Sequence, residues 1–166
     1  MSFMKTLNIF WEIASLRASP ETLKISKQLL LVSLATNLFI SVLINLKYET
    51  FFTGVMLSLL ECTTVIALTI TILFYVKKSE RIQKTLAALM GVGAIIGFFG
   101  YLVITLVPTS HIILFRPVIL VWNLSATAKI LAYSIDIRFS RAFFVAIGYA
   151  LCLWQILTFF YPIITA

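Results

Sequence analysis

Residues 51–76 read FFTGVMLSLLECTTVIALTITILFYV, and one charged side chain, Glu61, interrupts an otherwise uncharged run. At 1.5 Å per residue a helix over this stretch exceeds the roughly 30 Å of hydrocarbon in a bilayer. An open sheet would leave backbone N–H and C=O groups unpaired in lipid, so the stretch reads as a spanning helix. Four more runs of the same character occur near 28–46, 85–107, 117–136 and 142–162.

Composition agrees with that reading. Of 166 residues, 61% are hydrophobic and 11% charged, and mean hydropathy is +1.08. A soluble domain carries about a quarter charged residues. The expected architecture is all-α: a polytopic membrane bundle of five transmembrane helices over 20–166, preceded by an amphipathic interfacial segment over 1–19. The connections are short, which leaves no room for an inserted soluble domain.

The net charge of +7 has a topological meaning. Lys5, Arg17, Lys24, Lys27, Lys77, Lys78, Arg81, Lys84, Arg138 and Arg141 fall on one side of a five-span arrangement, and Lys47 and Arg116 on the other. The positive-inside rule then puts the N-terminus in the cytoplasm and the C-terminus outside. Tyr48, Phe51, Phe52, Phe159, Phe160 and Tyr161 would form the outer aromatic belt. Basic residues interleaved with apolar runs, with no recognition helix behind them, argue against nucleic acid and for lipid headgroups as partners.

Residues 3–17, FMKTLNIFWEIASLR, have helical amphipathicity. Phe3, Leu7, Phe10, Trp11 and Ala14 share one face, opposite Lys5, Asn8, Glu12 and Ser15. Such a helix is expected in the headgroup layer, its aromatic face in lipid or against the bundle. Ser19-Pro20-Glu21 is a helix-start signal, with Ser19 as N-cap and Pro20 at the first helical position. A helix from there would carry Lys24 and Lys27 into the first span.

Few residues could carry chemistry. Glu61 in span two and Lys129 in span four lie at similar depth, about 15 Å from the outer boundary at 1.5 Å per residue. They are expected to pair within the membrane, either neutralised to set helix register or acting as an ion relay. Candidate polar companions are Asn37, Ser58, Thr64, Asn123, Ser125 and Tyr133. Gly93, Gly97 and Gly100 share a face of span three, a small-residue seam for helix packing. Pro108 and Pro117 are read as bracketing an outer loop that holds His111. Cys62 and Cys152 are read as packing residues, and no catalytic constellation, metal site or cofactor site is expected.

Three passages, RASPETLKIS, RIQKTLAALMGVGAIIGFFG and VWNLSATAKILAYSID, together with five spans and a cytoplasmic N-terminus, resemble small bacterial members of the Yip family of membrane proteins. The resemblance covers most of the chain. It implies a five-helix bundle in a bacterial cytoplasmic membrane, with no defined activity and no catalytic residues. Eukaryotic relatives work with Rab-type GTPases through a longer N-terminal region, which does not carry over to the roughly 27 residues before the first span here. The expected function is non-enzymatic: a scaffold or subunit, with a protein partner or a second copy, or an organiser of the bilayer. The rival expectation is a small oligomeric transporter or channel built on Glu61 and Lys129.

Overall fold

The computed structural model describes residues 3–23 and 26–165; the side chains of residues 3–5 and 109 lie outside that description, as does Lys24. The expectations placed on the side chains of Phe3 and Lys5, and on Lys24, therefore fall outside the described residues. Every regular element among the described residues is helical: α1 (Phe3–Ala14), α2 (Lys27–Asn45), α3 (Phe51–Tyr75), α4 (Ile82–Leu106), α5 (Thr109–Ile135) and α6 (Phe139–Thr165), with single 3₁₀ turns at Pro20–Thr22 and Ser79–Arg81. The five helices α2–α6 are long and apolar enough to cross a membrane. Their outward surfaces carry large apolar side chains, with Phe51, Phe144 and Leu106 more than 70% exposed. An apolar solvent around the bundle accounts for such a surface.

Helices α2, α3, α6 and α5 follow one another around the bundle, and α4 packs against α1, α2, α3 and α5. The buried side of α4 runs from Thr85 to Gly100 and includes Leu86, Met90, Val92 and Ile96. Gly93 and Gly97 let α2 approach it: a Cβ on Gly93 would stand 2.8 Å from Asn37 Oδ1, and one on Gly97 3.0 Å from Ile40 Cγ2. The glycine seam is thus an intrachain contact at two positions. Gly100, the third, has no atom within 4 Å of the place its Cβ would take.

Three features differ from the sequence expectation. Ser19-Pro20-Glu21 starts only one 3₁₀ turn, without a side-chain cap, and α2 begins at Lys27, where the Ser26 hydroxyl accepts from the Leu29 N–H at 3.0 Å. Pro108 and Pro117 do not bracket a loop. Pro108 caps α5 and Pro117 lies inside it. A proline there removes one backbone donor, which a helix among apolar neighbours tolerates. His111 consequently sits in the first turn of α5, its Nδ1 at 3.1 Å from Ser110 Oγ.

The third difference concerns α1, which docks along the side of the bundle rather than at its end. Phe10, Ile13 and Ala14 are buried in one core with Leu23, Ala88, Val92, Ala126 and Ile130. Phe10 stacks over Gly91, where a Cβ would come within 2.5 Å of its ring. Trp11 stands 5.7 Å from Phe99 and 6.3 Å from Trp122 between ring centroids. Phe99 lies roughly 25 Å along α4 from Ile82 at 1.5 Å per residue. That is too far for a helix lying flat across the Ile82 end. Phe10 thus turns to protein, while Leu7 and Trp11 remain partly exposed.

Candidate functional site

Glu61 occupies the place where the five long helices converge. A small cavity of about 120 Å³ is lined by Asn37 of α2, Glu61 of α3, Gly93 of α4, Asn123 and Thr127 of α5 and Tyr149 of α6. Each helix brings at least one polar or backbone-exposing residue to a cavity whose other lining is aliphatic or methionine. Glu61 is half-buried, and its Oε2 accepts a hydrogen bond from Ser41 Oγ at 2.5 Å. Tyr149 donates to the Val65 carbonyl at 3.0 Å and lies 3.3 Å from Thr69 Oγ1, which ties α6 to α3 one turn below Glu61.

The expected Glu61–Lys129 ion pair is not formed. Lys129 Nζ donates instead to the Leu16 carbonyl, and Trp122 Nε1 donates to the Ala14 carbonyl at 2.7 Å. The physical reason lies in α1. The last carbonyls of a helix have no intrahelical donor, and its C-terminus carries partial negative charge. Docked beside α5, α1 ends at Ala14, whose carbonyl receives Trp122, and the turn after it presents the Leu16 carbonyl, two residues on, as a charge-assisted acceptor for Lys129. Equal depth brings two residues to the same height but says nothing about which side of its helix each occupies.

The other candidate companions divide between two places. Asn37 and Asn123 line the Glu61 cavity. Ser58 is buried; its hydroxyl donates to the Gly54 carbonyl and accepts from Asn45 Nδ2 at 2.9 Å. Thr64 donates to the Leu60 carbonyl of its own helix. Ser125 is half-buried on α5 and does not line the cavity. Tyr133 belongs to the far end of α5, where its carbonyl accepts from Arg81 at 2.6 Å and its ring lies 5.1 Å from the Arg81 guanidinium.

Sequence reasoning missed Ser41, Asn45, Thr127 and Tyr149. Ser41 bonds Glu61, Asn45 lines the cavity on one side of it, and Thr127 and Tyr149 line the cavity on the other; the azimuth of each helix, which no spacing fixes, decides this. Asp136, two turns beyond Lys129 and a poor partner for it, instead receives Arg81 Nη1 at 2.7 Å and Lys78 Nζ at 2.8 Å. These bonds hold the Asp136 carboxyl well below the usual range, at about 2. Together they lock the end of α5 to the turn that precedes α4.

A second and larger cavity, about 370 Å³, adjoins Glu61 toward the α2–α3 connection and includes Asn45, Tyr48, Glu49 and Tyr161. Tyr161 donates to Glu49 Oε1 at 2.7 Å. A third, about 660 Å³, opens between α1, α2 and α4 and is walled by Phe10, Leu29, Ile40, Ala94, Phe98 and Phe99. Among the described residues no three His, Cys, Asp or Glu side chains gather as a metal site. Comparison with family models, with curated proteins and with solved structures gives no match to the chain.

Proposed function

We propose that this is a non-enzymatic integral membrane protein that organises its surroundings through lipid and helix contacts, holding the tail of a membrane lipid in the groove beneath α1. The observation that carries this reading is the groove itself. Its volume of about 660 Å³ falls within the roughly 300–1,000 Å³ of small-molecule sites. The walls are aromatic and aliphatic, while Ser26 and Gln28 stand at the Lys27 end of α2. A polar mouth beside a basic residue, with an apolar depth behind it, matches an anionic headgroup and its acyl chain.

In this reading the end of the bundle bearing Lys27, Lys78, Arg81 and Arg138 faces the cytoplasm of a bacterium, in accord with the positive-inside rule. The likeness to Yip-type five-span proteins is part of the same proposal and rests on the three quoted passages and the span pattern. A protein partner or second copy would use a surface other than Gly93 and Gly97, which α2 already covers.

Native mass spectrometry of the protein released from mild detergent tests the proposal. The wild type is expected to retain lipid. Val32→Trp, at an exposed lining position, fills the groove without entering the core and is expected to release it. Equal lipid retention by both proteins, or none by the wild type, would contradict the reading.

A further inference from the structure

Glu61 forms the wall between two cavities, the interior one at the helix convergence and the larger one toward the α2–α3 connection. Among the described residues, no Lys, Arg or His lines either of them. The base nearest in depth, Lys129, is committed to the Leu16 carbonyl. Glu61 receives one hydroxyl donor, from Ser41, whereas a carboxylate offers about four acceptor positions. Glu61 is left with acceptor capacity that no other described side chain fills, on the wall of two cavities.

The larger cavity has the remaining parts of a cation receptor. Tyr48 and Tyr161 line it with aromatic rings, and the face of such a ring attracts cations electrostatically. Glu49 adds a second carboxylate and is fixed by the Tyr161 hydroxyl at 2.7 Å. Leu57 and Leu157 give the apolar flanks that suit alkyl groups. Its volume, about 370 Å³, suits an organic ion. A bare divalent metal would require six or more gathered oxygens, and no acidic cluster of three exists among the described residues.

We propose that the larger cavity binds a small organic ammonium ion, its charge against Glu61 and its alkyl groups between Tyr48, Tyr161 and Leu157. The cavity is separate from the lipid groove beneath α1, so the two proposals stand or fall independently. Asn37, Asn123 and Thr127, on the far side of Glu61, supply a polar continuation into the helix convergence.

Equilibrium dialysis of radiolabelled tetramethylammonium against the full-length protein in detergent micelles at neutral pH tests it. The wild type is expected to take up one ion per chain saturably, with a dissociation constant of roughly millimolar order. Glu61→Gln is expected to weaken uptake about tenfold or more. Leu157→Trp, which keeps both carboxylates but fills the cavity, is expected to weaken it as well and serves if Glu61→Gln does not fold. Ethylammonium should compete, while sodium chloride at equal ionic strength should not. Absence of saturable uptake by the wild type, unchanged uptake by both variants, or equal displacement by sodium chloride would overturn the proposal.

Discussion

Gly91 and Phe10 together decide whether α1 is part of the bundle. The Phe10 ring occupies the space in which a Gly91 Cβ would stand, so Gly91→Ala forces the ring off α4. Overpacking of this kind costs about 1–3 kcal/mol. In the Phe10→Ala background the same change should be nearly neutral, because the ring is gone. Thermal melts of the two single variants and the double variant read the coupling directly; additivity would place Phe10 elsewhere. A different residue carries the pH response. Asp136 is held at about 2, below the roughly 3.9 of an unfolded aspartate. Its contribution to stability is therefore present above about pH 4 and is lost as pH falls toward 2. Asp136 has φ 55°, in the left-handed region that Asn also tolerates, so Asp136→Asn removes the charge without adding backbone strain. The variant is expected to melt lower at neutral pH and to show a weaker decline between pH 4 and pH 2 than the wild type. Parallel declines would assign the acid response to other groups.

The element whose placement departs most from what its sequence suggests is α1. Its apolar face was legible, since Leu7, Phe10, Trp11 and Ala14 recur at helical spacing. Ile13, wholly buried, shows that the inward face is turned farther round than the aromatic residues alone indicate. What no periodicity carries is the partner of that face, because lipid and a bundle groove reward the same side chains. The docked position of α1 then accounts for the absent ion pair, since Lys129 donates to the Leu16 carbonyl at the end of α1 rather than to Glu61. That C-terminus closes with the Arg17 N–H on the Glu12 carbonyl and the Leu16 N–H on the Ile13 carbonyl, with Leu16 at φ 62°. Glycine is the usual residue at such a position. Leu16→Gly removes a left-handed cost of about 1–2 kcal/mol while keeping the carbonyl that receives Lys129. The melting temperature is expected to rise. A fall would mean that the Leu16 side chain, only partly exposed, holds α1 in place.

At the scale of the whole molecule, five apolar runs were enough to give five long helices, because a run of that length in lipid has no other way to satisfy its backbone. The ends were legible where a polar cap or a charge pair stands, as at Thr50 before α3, which accepts from the Thr53 N–H. They were misjudged where proline misled, as at Pro117 within α5. Asn37 and Asn123 were legible as companions of Glu61, but that Thr127 and Tyr149 join them was not, since it depends on the rotation of five helices at once. The membrane reading of the fold rests on one premise: an odd number of crossings with the basic end in the cytoplasm. Single-cysteine labelling in intact cells tests it most directly, using a membrane-impermeant maleimide on variants bearing one cysteine at Ser79, Glu49 or Thr165 in a Cys62→Ser, Cys152→Ser background. Labelling of the Glu49 and Thr165 positions from outside, with Ser79 reached only after the membrane is opened, is the expected result. Labelling of the Ser79 and Thr165 positions from the same side would contradict the account.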